Sequence, residues 1–262
     1  TKTADKWYMT EPVSAPAHEP AVNSILADID DLEADRLLAL KGDPAEYGLD
    51  KPTHKLLIEV KREDKEPVTH ELLVGKKLTD GGYAAKLADN DLIFAVGELM
   101  VDHLEDELHE RLVWEFKEDD IKQVVWKKGD LEVLMRKEDD KWKLIRPQDR
   151  TLNPTRADNF VRELHSIGVD RFLSYTKADA SKYGLDKPAL TITLKLADAE
   201  KTLLVGKKDP EGWAPAMVAE VDGIFKLDPS MVQTLYGGVL KVEEKKKQSE
   251  KGKPQETGKK SE

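Results

Sequence analysis

The sequence contains no cysteine among its 262 residues. That absence excludes disulfides, thiolate nucleophiles and Cys-ligated zinc or iron–sulfur sites. It leaves the compartment open, because an exported chain can dispense with disulfides. No apolar run approaches the roughly 18 residues that a membrane-crossing helix requires. A basic surface is lacking too. The net charge is −10, and from Lys241 onward eight lysines against five glutamates give +3, so the preceding body carries −13. Such a body repels phosphate groups, which argues against nucleic acid and anionic lipid headgroups as partners.

Signatures of chemistry are equally scarce. No G-x-S-x-G elbow and no Gly-rich dinucleotide loop occurs. Gly75-Lys76-Lys77 and Gly206-Lys207-Lys208 look at first like phosphate-binding loops. A Walker A loop needs another glycine five residues earlier and Ser or Thr after the lysine. His70 and Lys201 stand at the earlier position, and lysine follows lysine. Both are therefore read as strand exits with solvated lysines. The densest ionisable run is His103-Leu104-Glu105-Asp106-Glu107-Leu108-His109. On a helix, His103 would share a face with Glu107 and Glu105 with His109. The histidines lack the four-residue spacing of HExxH, so a solvated helix face is the expectation. Asp119-Asp120 and Asp139-Asp140 fall in turn-like stretches and are poor acid–base candidates. No catalytic, cofactor-binding or metal-binding residue is assigned, and the chain is expected not to be an enzyme.

What is present is internal repetition, the signal that decides architecture when it occurs. Tyr47-Gly48-Leu49-Asp50-Lys51-Pro52 recurs as Tyr183-Gly184-Leu185-Asp186-Lys187-Pro188, an offset of 136. Leu72-Leu73-Val74-Gly75-Lys76-Lys77 recurs as Leu203-Leu204-Val205-Gly206-Lys207-Lys208, an offset of 131. Trp7 and Pro12 match Trp142 and Pro147 at 135. Ile25, Leu26, Ile29 and Leu32 form a helical stripe, and adding 135 gives Phe160, Val161, Leu164 and Ile167. Asn153 before Pro154 reads as an N-cap, and Pro20 serves a similar start in the first copy. Alternating stretches follow each YGLDKP. Leu56, Ile58 and Val60 alternate with mostly polar residues, and Leu190, Ile192, Leu194 and Leu196 do the same. Period two with one polar face predicts a sheet with one side on the core.

Further short strands are expected near Tyr83–Leu87, Leu92–Val96, Ala214–Val218 and Ile224–Leu227. Closing helices are expected over roughly Glu98–Leu108 and Pro229–Tyr236. Ile121–Lys127, Leu131–Arg136 and Trp142–Ile145 read as a three-stranded meander that opens the second unit. Only six residues precede Trp7, so the first unit is expected to be incomplete at its start. The predicted fold is α+β: two tandem copies of a mainly antiparallel sheet packed with one long and one short helix. The units are placed at 1–112 and 113–240. Residues 241–262, rich in Lys and Glu without apolar periodicity, are expected to form a disordered tail.

The recurring residues also have a reading of their own. Gly48 and Gly184 suit a turn with positive φ, and Pro52 and Pro188 hold the preceding residue extended. Tyr47 and Tyr183 are placed as plugs at the end of the core, and Gly75 and Gly206 close the repeated motif. A ligand-binding loop present twice is the functional alternative. Trp7 and Trp142 are assigned to the core. Trp126 and Trp213 are the candidates for an exposed aromatic that contacts a sugar or a partner.

The order Trp-x4-Pro, amphipathic helix, YGLDKP, alternating strand and LxVGKK resembles the bacterial family catalogued as domain of unknown function 4340. The resemblance runs from Trp7 to Gly238 and occurs twice. It implies an N-terminal transmembrane anchor, a body outside the cytoplasm, in the periplasm or at the cell surface, and genes beside ABC-transporter components of the gliding-associated type. Thr at position 1 in place of Met fits a natural start that lies upstream. The family brings no catalytic residues. The resulting expectation is a membrane-anchored, extracytoplasmic binding or scaffold module with protein partners in the cell envelope, such as ABC-transporter subunits. The membrane would be met only through the anchor. The alternative is a carbohydrate or cell-wall binding module.

Overall fold

The computed structural model describes residues 1–61 and 66–241. The expected tail at 242–262 therefore lies outside the described residues. Order along the chain begins with β1 (Lys2–Thr3), β2 (Lys6–Met9) and β3 (Ala15–Pro16), which pair as a small sheet of their own. Helix α1 (Glu19–Asp30) follows, with Pro20 in its first turn, where a missing N–H costs nothing. Then come β4 (Arg36–Ala39), β5 (His54–Val60), β6 (Val68–Lys77), β7 (Tyr83–Leu87) and β8 (Ile93–Val96), and a short α2 (Glu98–Leu104). These five strands form an antiparallel sheet in the order β4-β8-β7-β6-β5.

The chain next runs through β9 (Leu112–Glu115) into a meander of β10 (Gln123–Lys128), β11 (Leu131–Glu138) and β12 (Lys141–Arg146). Helix α3 (Pro154–Leu164) starts at Asn153, whose side-chain oxygen accepts from the Arg156 N–H at 3.1 Å. After it come β13 (Ser166–Gly168), β14 (Arg171–Ser174), β15 (Leu190–Lys195), β16 (Glu200–Val205), β17 (Ala214–Val218) and β18 (Ile224–Leu227), then α4 (Pro229–Gly237). An eight-stranded sheet results, in the order β12-β11-β10-β15-β16-β17-β18-β14, while β13 pairs with β9. All named pairings are antiparallel, so the fold is α+β.

Equivalent positions can be followed from one sheet to the other. The order β14-β18-β17-β16-β15 has the same sequence of connections as β4-β8-β7-β6-β5. Lys2 faces Trp7 and Thr3 faces Lys6 in the first hairpin, and Lys137 faces Trp142 and Glu138 faces Lys141 in the meander. The turn residues of both hairpins have positive φ, at Ala4 and Asp5 and again at Asp139 and Asp140. That is the twist which a two-residue hairpin turn needs. The bridge Ala17↔His109 has its counterpart in Leu152↔Leu240.

The two sheets are not equally covered. Phe160, Val161 and Leu164 of α3 are fully buried, with Ile167 beyond them, in a core that also holds Val124, Trp126, Val133, Met135, Ile192, Leu194 and Leu203. Ile25, Leu26 and Ile29 of α1, with Leu32 just past its end, are only half-buried. Their core is small: Leu72, Val74, Ala85, Val96, Met100 and Val101. The difference has a visible cause. Strand β15 is flanked by β10, which brings in Val124 and Trp126, whereas among the described residues β5 has a strand neighbour, β6, on one side only.

Candidate functional site

The twice-occurring motifs pack against each other and face inward. Gly48 and Gly184 sit at φ 69° and 68°, ending the turns at Tyr47 and Tyr183 in the left-handed region that a side chain enters only at a cost. Each turn lies directly over the glycine of the partner motif. A Cβ on Gly75 would overlap the Tyr47 carbonyl oxygen, and one on Gly206 would lie 2.9 Å from the Tyr183 carbonyl oxygen and 2.7 Å from Pro215 Cγ. The YGLDKP and VGKK elements thus occur together because the strand backbone must pass under the turn. Leu49 and Leu185 are buried beneath it, and the Tyr183 hydroxyl donates to the Leu173 carbonyl at 2.9 Å. Pro52 and Pro188 lead from the turn into β5 and β15. Lys76, Lys77, Lys207 and Lys208 stand in solvent.

The aromatic candidates separate. Trp126 is a correction: it is 5% exposed, and its indole N–H donates to the Leu235 carbonyl at 2.8 Å. Its strand lies between β11 and β15, so the face carrying Val124 and Trp126 meets α4 rather than water. Trp213 is half-buried, with the Lys226 ammonium over its ring at 4.2 Å. That cation occupies one face of the ring. Trp7 and Trp142, assigned to the core from sequence, are only half-buried, and Trp142 packs against the margin of the larger core.

The ionisable run 103–109 is a second correction. Helix α2 stops at Leu104, so Glu105–His109 shares no helix face with His103. Glu107 and His109 are each 6% exposed. The Glu107 carboxylate accepts from the Phe172 N–H at 2.9 Å, the His109 N–H at 3.0 Å and the Tyr175 hydroxyl at 2.7 Å. His109, Phe172 and Tyr175 form a three-ring cluster, with centroids 4.1 Å apart for His109–Phe172, 5.8 Å for His109–Tyr175 and 5.7 Å for Phe172–Tyr175. Burial opposes the charge on Glu107, but these hydrogen bonds and the nearby imidazole outweigh it and hold the carboxyl below its ordinary range. Burial, reinforced by the hydrogen bond to that carboxylate, raises the Tyr175 hydroxyl well above the usual phenol value. Three hydrogen bonds that favour the charged form make this carboxylate a structural anchor. The cluster pins the segment after α2 onto β14. His103 is occupied as well, donating to Asp28 at 2.7 Å. Among the described residues no group of three or more His, Asp or Glu could hold a metal ion. Nor, among the described residues, is any helix long and apolar enough to cross a membrane.

What remains open is the flank of β5. A groove of about 250 Å³ runs beside it, lined by Ile29, Leu32, Ile58, Val60, His70, Leu72 and Leu87. Leu57, on the opposite face of the same strand, is 62% exposed. At the corresponding positions of the second sheet, Leu164, Ile167, Leu194, Leu196, Leu203 and Val218 are all buried. Among the described residues, the flank of this strand and the groove stay uncovered. No spacing in the sequence signals it, because His54–Val60 carries the same alternation as Leu190–Lys195; only the sheet order shows which of them is left uncovered.

No curated protein and no solved structure matches the chain. One family model does, the one described as "Domain of unknown function (DUF4340)", over residues 7–188. The match opens at Trp7 and closes at Pro188, so it takes in both YGLDKP turns and the first VGKK. The chain belongs to this family.

Proposed function

We propose that this chain is a non-enzymatic binding or scaffold module, built of two tandem copies of one unit at residues 1–112 and 113–240. Support for the two copies comes from the matching strand orders and hairpin registers, and from the repeated turn over a strand glycine. Support for a binding role comes above all from one observation: among the described residues an apolar groove between α1 and the first sheet, lined by Ile29, Leu32, Ile58, Val60 and Leu87, stays open. The non-enzymatic reading is supported by the buried Glu107, whose three hydrogen bonds suit a structural role. The carbohydrate-binding alternative loses Trp126 to the core and finds the ring of Trp213 capped.

The proposed setting is extracytoplasmic: anchored by an N-terminal segment and serving an envelope ABC-transporter or gliding-type assembly. Its support is the family's usual arrangement. Affinity capture of the tagged full-length gene product from native membranes, with mass spectrometry of what co-purifies, tests it. The expected result is transporter subunits in near-equal amounts. Recovery of the full-length product from the cytosol, soluble and alone, overturns it.

A further inference from the structure

The net charge of the body averages over two halves that differ. Residues 1–112 hold twenty-five Asp and Glu against thirteen Lys and Arg, a balance of −12, while residues 113–240 hold twenty-two against twenty-one, or −1. Within the second half the sheet sorts the charge again. Lys127 of β10, Arg136 of β11, Lys141, Lys143 and Arg146 of β12 and Lys195 of β15 are all exposed. Their registers set them out of phase with the buried Val124, Met135 and Leu194, so they share the outer face of the sheet. Three carboxylates, Glu132, Glu138 and Glu200, stand at registered positions of that face. Glu138 is engaged by Lys143 at 2.9 Å and Glu132 by Arg146 at 3.1 Å. Among the described residues, Lys127, Arg136, Lys141 and Lys195 are left without a carboxylate at ion-pair distance. The middle of the face is uncharged: Val125 lies opposite Thr193, whose hydroxyl is 3.2 Å from that of Thr202.

The acidic half carries a counterpart. Asp28, Asp30, Asp31, Glu33 and Asp35 fall within eight residues that include no Lys or Arg. Asp28 is taken by His103, but Asp30, Asp31, Glu33 and Asp35 are exposed and, among the described residues, have no ion-pair partner. They gather at the C-terminal end of α1, whose last turn has no basic residue. Carboxylates there meet the negative end of the helix dipole, an unfavourable place that a cation from outside relieves.

We propose that the outer face of the second sheet docks the Asp30–Asp35 run of a second copy of this chain. The chain supplies both sides of the contact. An extended anionic surface such as a bilayer would meet the acidic half as well as the basic face, whereas a second copy presents its carboxylates locally. The net charge of −10 makes copies repel in other orientations, so the association is weak, directional and steeply dependent on salt. Because the two surfaces differ, the contact is head-to-tail and can be repeated from copy to copy. It goes beyond the binding role proposed above, which rests on the apolar groove and stands or falls separately.

Sedimentation velocity of the 262-residue chain over a range of concentrations tests it. At about 20 mM salt the weight-average mass is expected to rise with concentration toward about twice the monomer or beyond. At about 500 mM, where screening acts within a few ångströms, the chain is expected to stay monomeric. Lys127→Glu with Lys195→Glu reverses the face, and Asp31→Lys with Glu33→Lys reverses the run. Each pair is expected to abolish the rise. All four positions are exposed, so folding is little at stake, and urea midpoints close to wild type check it. An equimolar mixture of the two variants is expected to associate again, since each then offers the charge that the other has lost. Lys51→Glu with Lys76→Glu makes the same change in net charge as the face variant, at exposed positions outside both surfaces, and is expected not to weaken association. No rise at low salt, a rise that persists at high salt, or association that survives either reversal overturns the proposal. So does a loss in the Lys51 and Lys76 variant as large as in the face variant, or a mixture that stays monomeric.

Discussion

Gly75 and Glu107 show how differently two residues can hold this fold. Gly75 contributes by what it omits. A methyl group there would run into the Tyr47 carbonyl, which belongs to backbone fixed by the left-handed turn at Gly48. Neither side can yield cheaply, so Gly75→Ala is expected to cost about 1–3 kcal/mol, the usual range for overpacking. Gly206→Ala should behave alike. Gly168→Ala is the control: nothing lies within 4 Å of its added Cβ, and its urea midpoint should stay close to wild type. Equal losses at Gly75 and Gly168 would show that the close approach is not the reason for the glycine. Glu107 contributes by charge. Its carboxyl is held below its ordinary range in the folded state, so its stabilisation is present above the unfolded-state value and is lost as pH falls through the folded-state one. Glu107→Gln is expected to cost about 1–3 kcal/mol at pH 7, through the donors left poorly matched. The gap between variant and wild type should then narrow toward pH 3. A gap constant across urea melts from pH 7 to 3 would mean that the charge contributes nothing.

Among the elements, α1 and α3 carry the same apolar stripe and bury it to different depths. Phe160 is fully buried, whereas its counterpart Ile25 is half-exposed. Phe160→Ala is therefore expected to cost about 3–5 kcal/mol, and Ile25→Ala roughly half of that or less, because part of its surface stays in water. Urea denaturation of the two variants measures this directly, and equal costs would mean that the first core is as well packed as the second. The stripes themselves were legible, because a 3.6-residue period needs only local information. So were Tyr83–Leu87, Ala214–Val218 and Ile224–Leu227, which the structure places at those bounds. Strands β4 and β14 were not. Their residues, Arg36-Leu37-Leu38-Ala39 and Arg171-Phe172-Leu173-Ser174, show no polar/apolar alternation, and their pairing is with β8 and β18, far along the chain. Helix α2 was read four residues too long because the acidic run after Leu104 keeps a helical composition. The partners that draw Glu107 out of the helix, Phe172 and Tyr175, are 65 and 68 residues away. Trp126 was misplaced for a related reason: alternation assigns a residue to a face but does not tell whether that face is covered. The β5 edge was illegible on the same ground.

For the whole molecule, these differences add up to a gradient of stability from one end of the chain to the other. The second sheet is covered by α3 and α4 and is extended by the meander, so its central strands β15 and β16 have neighbours on both edges. Among the described residues the first sheet ends at β5 and closes over a much smaller core. Large exposed apolar side chains gather there as well: Leu37, Leu40, Leu57, Val68, Leu92 and Leu99. Few buried apolar groups and many backbone hydrogen bonds near water are the conditions for sub-global opening below the cost of full unfolding. Native-state hydrogen exchange resolves this by strand. Amides of β5, and of β6 where it pairs with β5, are expected to exchange roughly tenfold or more faster than those of β15 and β16, with only the latter following global unfolding in denaturant. Uniform protection across both sheets would mean that the joint through Glu107, Phe172 and Tyr175 couples the halves into one cooperative unit.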